Sequence, residues 1–131
     1  MEIRRLLWLL VCLANFEERL CAKYVDLSNR GLTSVPEDIA PDVTHLYLNN
    51  NDITRIRQTD FNDNNILTGL NLISNEITTI TFDELSYLTK LTFLYLNDNR
   101  LTALPNIAQF MPSLNELWLK ENPLECCCSN V

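Results

Sequence analysis

The sequence predicts an α/β repeat fold, a short solenoid in which about five short strands form a concave parallel sheet opposite an irregular convex side. Two observations predict it. Of the 131 residues, 24 are Leu and 16 are Asn, and Asn is far above its ordinary usage. These two residue types also recur together at a nearly constant spacing, which is typical of a chain built from stacked copies of one unit.

Residues 1–14 have the pattern of a secretory signal peptide. Two arginines precede the continuous apolar run 6–14, and two glutamates follow it. The run has the length of a signal-peptide core and is too short to cross a bilayer, which needs about 20 apolar residues. A helix that caps the fold is the alternative, but it would need a polar face, which this run lacks. We therefore expect cleavage near Ala14 and a secreted mature chain without a membrane span.

One template, L-x-x-L-x-L-x-x-N-x-L, fits the chain five times, with copies that start at residues 22, 43, 67, 91 and 114. The first copy is weak because Arg30 replaces the Asn, whereas the other four carry Leu, Val or Ile at every apolar position. The central x-L-x-L-x has the period of a strand that buries its leucines and exposes their neighbours. Each copy can bury these leucines only by stacking on the next copy.

The ninth position of the template lies where the chain turns out of the strand. A buried Asn amide there can satisfy backbone groups that the turn leaves unpaired, because it donates two hydrogen bonds and accepts two. We therefore predict a structural ladder that consists of Asn51, Asn75, Asn99 and Asn122.

These copies resemble the repeats of extracellular leucine-rich repeat proteins of the 24-residue typical kind, similar to the ectodomains of Toll-like receptors and to variable lymphocyte receptors. The resemblance covers residues 22–128, with the five repeats at 22–124. It implies a non-enzymatic recognition module, immune or receptor-like, that binds a protein or glycan ligand on its concave face.

The cysteines indicate incomplete caps at both ends. By resemblance, residues 15–21 are the remnant of a degenerate N-terminal cap with Cys21, and residues 125–131 begin a truncated C-terminal cap whose motif matches Cys126 and Cys128. Strand spacing places Cys21 too far from the other two for a bridge within one chain. We therefore expect free thiols or an intermolecular disulfide.

The convex connections are less regular than the strands. Residues 82–88 and 106–110 are expected to form short helical turns. Asn64 stands in the polar run 62–65, at a site where the repeat would place Leu, so we expect a loose loop there.

Composition excludes several kinds of chemistry. Two glycines cannot form a dinucleotide or phosphate-binding fingerprint, and one histidine, His45, cannot form a two-histidine zinc site. We expect no cofactor, no metal and no enzymatic activity, because nothing in the spacing joins His45 and Ser28 into a catalytic triad. A net charge of −7 argues against nucleic acid and anionic membranes as partners.

Binding on the concave face is the favoured function. The third, fifth, seventh and eighth positions of each repeat point to it, and they combine aromatic residues, which supply contact energy, with adaptable polar ones. Tyr at the fifth position also packs along its own column, which is the structural alternative. Asp98, Glu116 and Glu121 make the C-terminal half of this face acidic, which favours a protein partner with a basic patch. The predicted ligand-binding residues are Tyr24, His45, Tyr47, Asn71, Phe93, Tyr95, Asn97, Asp98, Glu116, Trp118 and Lys120.

Two other interpretations stay open. The missing cap cysteines favour an intracellular leucine-rich scaffold or regulatory subunit, which the signal-like leader opposes. The incomplete C-terminal cap favours a truncated, non-functional family fragment.

Overall fold

The structure is a computed structural model that describes residues 21–125. The predicted signal peptide, most of the N-terminal cap remnant, and Cys126 and Cys128 lie outside this range. Five strands form one parallel sheet in chain order, and this sheet confirms the predicted fold class. They are β1 (Tyr24–Asp26), β2 (His45–Tyr47), β3 (Gly69–Asn71), β4 (Phe93–Tyr95) and β5 (Glu116–Trp118).

The strands pair in the register of the repeat. The middle residues of β1 to β4 are Val25, Leu46, Leu70 and Leu94, and each lies directly beside the next. The three leucines are at most 1% exposed, since the side chain at the centre of each strand points into the solenoid. Their neighbours on either side therefore point to the concave surface.

The core consists almost entirely of aliphatic residues from the three inner repeats. Leu and Ile side chains buried to this degree each contribute about 1.5–3 kcal/mol relative to exposure. The corresponding side chains of the first and fifth repeats are only half-buried against this core, and they include Val25, Leu27, Leu114 and Leu119.

Three short helices of the described range lie in the connections on the convex side. A 3₁₀ helix spans Gln58–Phe61, α1 spans Phe82–Leu85 and α2 spans Ile107–Phe110. The two α-helical turns occur where the sequence predicted them. At the start of α1, the backbone N–H of Thr81 donates to the carboxylate of Glu84, which completes a capping box.

The expectation of a loose loop around Asn64 is wrong. Asn64 is 3% exposed, and its amide donates a 2.9 Å hydrogen bond to the carbonyl of Ala40 in the preceding repeat. Its backbone N–H also donates to the carbonyl of Phe61 at 3.1 Å. A polar side chain can occupy this leucine position because its hydrogen bond offsets the cost of burial.

The four asparagines at the ninth position bridge successive repeats. Asn75, for example, donates to the carbonyls of Leu48 and Leu72 at 3.0 and 3.1 Å and accepts from the backbone N–H of Ile53 at 3.1 Å. The Leu48 carbonyl also accepts from Asn51 at 2.9 Å. Each such carbonyl thus bonds to the asparagines of two adjacent repeats, and the amides form a continuous hydrogen-bonded column through Asn99 and Asn122.

A second column, of threonines at the second position, was not predicted. The hydroxyl of Thr68 donates to the carbonyl of Thr44 at 3.1 Å, and that of Thr92 donates to Thr68 at 2.9 Å. Thr44 in turn donates to the carbonyl of Lys23 at 3.1 Å. The signal was a Thr recurring every 24 residues at the start of the inner strands.

One non-glycine residue in every repeat has the left-handed backbone conformation. Each of these residues occupies the eighth position and has φ between 55° and 58°. Asn and Asp adopt this conformation more readily than other residues with a side chain, so the polar residue types here are partly a requirement of the turn. The five residues are Asn29, Asn50, Ser74, Asp98 and Glu121.

Cys21 is disulfide-bonded. The free thiol that we expected at this position is therefore wrong, and the other four cysteines of the chain lie outside the described residues.

Candidate ligand-binding surface

Five rings form a continuous row across the concave face, which we call the aromatic row. Tyr24 stacks on His45 with ring centroids 4.4 Å apart, and the centroids of His45 and Phe93 are 5.7 Å apart. Phe93 stacks on Tyr95 at 4.7 Å, and Tyr95 stacks on Trp118 at 4.2 Å. The row therefore begins on β1 and ends on β5, and it joins the third-position column to the fifth-position column within β4.

Gly69 allows the row to cross β3. It occupies the third position between His45 and Phe93, where the other repeats carry a side chain. A Cβ atom on Gly69 would lie 2.1 Å from Cζ of Phe93 and 2.8 Å from Cδ2 of His45. The bare backbone thus lets the Phe93 ring lie over β3 and approach a ring two strands away. A lone Gly inside a strand is a known sign of such close approach.

The C-terminal end of the row carries a carboxylate. The hydroxyl of Tyr95 donates a 2.7 Å hydrogen bond to Oε2 of Glu116. This hydrogen bond raises the pKa of Tyr95 above its ordinary value, because it stabilises the neutral phenol next to a negative charge. Glu116 is exposed and Trp118 is 47% exposed, so a negative charge and an accessible indole lie together at this end of the row.

His45, a predicted ligand-binding residue, is half-buried. Its Nδ1 lies 2.9 Å from the hydroxyl of Thr44, and Ser28 is not among its partners. Burial lowers the pKa of His45 because it disfavours the charged imidazolium. The imidazole therefore serves as a packed member of the aromatic row, between Tyr24 and Phe93.

Other predicted ligand-binding residues lie beside the row and are partly engaged. Oδ1 of Asn71 accepts from the backbone N–H of Ile73 at 3.0 Å, and Oδ2 of Asp98 accepts from the hydroxyl of Ser74 at 2.8 Å. Oδ1 of Asn97 is buried without a hydrogen-bond partner among residues 21–125. The remaining two predicted residues, Tyr47 and Lys120, are half-buried and exposed, respectively.

The described part of the chain contains no group of three or more His, Cys, Asp or Glu side chains suited to a metal ion. Within residues 21–125, no helix is long and apolar enough to cross a membrane. What the concave face offers is a fixed, largely aromatic surface with hydrogen-bonding groups along its sides, which is suited to holding a ligand by contact.

Parallel one-strand repeats joined by an asparagine column define a leucine-rich repeat solenoid. The chain belongs to the leucine-rich repeat family: a model described as "Leucine rich repeat" matches residues 41–101, and one described as "Leucine Rich repeats (2 copies)" matches residues 89–129.

Curated relatives include extracellular leucine-rich repeat proteins. Biglycan of Sus scrofa is 36% identical over 108 residues, which are 79% of this chain and 38% of biglycan. Keratocan of Mus musculus is 40% identical over 96 residues, which are 72% of this chain and 26% of keratocan. The chain thus spans only about a third of the length of these relatives.

Among solved structures, the leucine-rich repeat domain of APL1B superimposes with a TM-score of 0.71 at 22% sequence identity. The match covers 88% of this chain and 34% of that one. At 22% identity, this structural similarity is evidence for the fold alone.

Proposed function

We propose that the chain is a secreted, non-enzymatic recognition module that binds a protein ligand on its concave face. The observation that carries the proposal is the aromatic row, which spans all five strands and ends in two exposed rings. Tyr24 is 61% exposed and Trp118 is 47% exposed. Large aromatic side chains on a rigid sheet lose little entropy on binding, and they supply much of the energy of protein interfaces.

The stacking within the row favours a protein over a glycan. Tyr95 is covered by Phe93 at 4.7 Å and by Trp118 at 4.2 Å, so that a sugar could stack on the end rings of the row but not along its inner part. Ring edges and neighbouring amides suit the mixed apolar and polar contacts of a protein surface. An immune or receptor-like role is one specific form of this proposal.

Capture of extracellular proteins by matched variants tests the proposal. Trp118→Ala combined with Tyr95→Ala removes the C-terminal rings of the row. Phe82→Ala combined with Tyr87→Ala is the control, because it removes two convex-side rings that are each 42% exposed. We expect specific proteins to be captured by the wild type and the control and lost by the concave variant, with circular dichroism showing that all three are folded.

Retention of the same captured proteins by the concave variant would contradict the concave-face assignment. Binding of the wild type to a glycan array, lost in the concave variant without any loss of protein capture, would favour the glycan alternative.

Secretion is part of the proposal, and it is supported by the signal-like leader and by the extracellular relatives. Expression of the full chain in animal cells should place the protein in the medium with a new N-terminus near residue 15. An intact Met1 on protein retained in the cytosol would favour the intracellular scaffold instead.

A further inference from the structure

Three residues at the C-terminal end of the concave face form a fixed corner, which we call the Trp118 corner: Tyr95, Glu116 and Trp118. Glu116 and Trp118 are two residues apart on β5, so both side chains leave the same face of the sheet about 7 Å apart. Tyr95 on β4 fixes both neighbours, since its hydroxyl bonds the carboxylate at 2.7 Å and its ring stacks on the indole at 4.2 Å.

The corner retains binding capacity after these internal contacts. Tyr95 bonds to Oε2 of Glu116, and Oε1 has no hydrogen-bond or ion-pair partner within residues 21–125. Among residues 21–125, Trp118 stacks on one ring, that of Tyr95, and it is 47% exposed. A carboxylate and an indole thus lie side by side, each with part of its bonding surface turned to solvent.

A planar cation matches this pair of groups. A guanidinium donates two parallel N–H bonds to a carboxylate and stacks its flat face on an indole, and it sheds water more readily than an ammonium. A lysine ammonium can pair with the carboxylate but stacks less well. A phosphate or sulfate would be repelled by Glu116.

The surrounding charges favour a cation as well. Glu116, Asp98 and Glu121 lie at this end of the concave face, and Lys120 is the basic residue among them. Lys120 forms no ion pair with these carboxylates. It follows Trp118 by two residues, so its charge opposes a second cation at the corner.

We propose that the Trp118 corner is an arginine-binding subsite, which receives one arginine side chain of the protein ligand. The inference rests on the proposed function and specifies the chemistry of the partner at one point of contact. The guanidinium would pair with Glu116 and stack on Trp118, while Tyr95 acts as the positioning residue that holds both.

The test uses three short peptides that differ in one side chain: acetyl-Gly-Arg-Gly-amide and its lysine and citrulline versions. Citrulline keeps the planar shape of arginine without its charge. The chain contains two tryptophans, Trp8 and Trp118, and Trp8 lies in the predicted signal peptide. The secreted protein, or full-length protein with Trp8→Phe, therefore gives one indole N–H signal in a nitrogen-15 NMR titration. We expect saturable shifts with the arginine peptide and binding about two- to fivefold weaker with the lysine peptide, which stacks less well. The citrulline peptide should bind most weakly.

Three charge variants complete the test. Glu116→Gln should weaken the arginine peptide by about fivefold, the upper range for an exposed charge pair, whereas Lys120→Gln should strengthen it. Strengthening is decisive because partial unfolding cannot produce it. Glu37→Gln, an equal change of charge in the first repeat, should have no effect. Equal binding of citrulline and arginine, or no response to Glu116→Gln, would overturn the subsite.

Failure of this inference can be distinguished from failure of the proposed function. If the concave variant loses its captured proteins and the arginine peptide leaves the Trp118 signal unmoved, the recognition surface stands and the arginine subsite falls. If the arginine peptide binds but does not displace the captured proteins from the wild type, the subsite is not part of their interface and the inference is likewise overturned.

Discussion

Replacement of Asn75 by alanine should expose the energetic role of the asparagine column. Asn75 is 7% exposed and makes three main hydrogen bonds, to the carbonyls of Leu48 and Leu72 and from the N–H of Ile53. The two carbonyls keep a partner in Asn75→Ala, because Asn51 and Asn99 also donate to them. The N–H of Ile53 has no other acceptor in the described part of the chain.

The expected cost follows from this accounting. A buried N–H left unpaired costs about 1–3 kcal/mol, and each lost hydrogen bond whose acceptor keeps a second donor costs about 0.5–1 kcal/mol. The sum is about 3 kcal/mol, a large share of the roughly 5–15 kcal/mol that stabilises an ordinary domain. For a chain of this length the melting temperature should fall by roughly 10–20 °C.

Urea unfolding followed by circular dichroism measures the loss, with Asn65→Ala as the matched control. Asn65 is exposed, so the same chemical change there should alter the free energy of unfolding by less than about 0.5 kcal/mol. Asn75→Asp separates the two halves of the amide, because it keeps the acceptor for Ile53 but places a charge against two carbonyls. A loss in Asn75→Ala no greater than in Asn65→Ala would refute the reasoning.

Three further predictions concern single positions. Gly69→Ala should change the free energy of unfolding by less than about 1 kcal/mol, since the strand gains backbone rigidity. It should nevertheless displace the Phe93 ring, which NMR shifts of the ring protons would show. Unchanged shifts would contradict the crossing over β3. Glu121→Asn should stabilise the fold by about 1 kcal/mol in thermal unfolding, because Asn tolerates a φ of 58° better than Glu; equal melting temperatures would contradict it. The pKa of Tyr95 lies above its reference value of 10.0. The contribution of its hydrogen bond with Glu116 to folding stability is therefore present below pH 10 and is lost as the pH rises through the raised pKa. The difference between the ultraviolet titration curves of the wild type and of Tyr95→Phe should show this late ionisation of Tyr95. Glu116→Gln should lower the pH at its midpoint.

The sequence predicts the fold in detail because one physical requirement repeats. Leucines at the fourth and sixth positions must be buried, and only stacking buries them, so that strand number, direction and register follow from the spacing alone. Short helical turns on the convex side were also predicted, at residues 82–88 and 106–110, and α1 and α2 lie within these ranges. The prediction failed at Asn64. A polar residue can be buried at this leucine position because the carbonyl of Ala40 in the preceding repeat accepts its hydrogen bond.

The candidate surface was less predictable because the residue type at an exposed position can have several causes, such as ligand binding or backbone conformation. Asp98 and Glu121 were interpreted as an acidic patch, yet both occupy the eighth position, where the left-handed backbone restricts the residue type. A pattern in the sequence cannot separate these two causes. The structure separates them, since Glu121 is poorly suited to the conformation that it adopts and is therefore not explained by the backbone.

The aromatic row shows what periodicity alone omits. Column positions predicted that Tyr95 and Trp118 would be neighbours, but the step from the third-position column to the fifth within β4, and the crossing of β3, depend on how far a ring can reach. That reach depends on Gly69, which has no side chain of its own to suggest a role. Its missing Cβ leaves the space that the Phe93 ring occupies. The aromatic row therefore depends both on its rings and on the missing side chain of Gly69, so Gly69→Ala, which adds one methyl group, tests the proposed binding surface more selectively than removal of a ring.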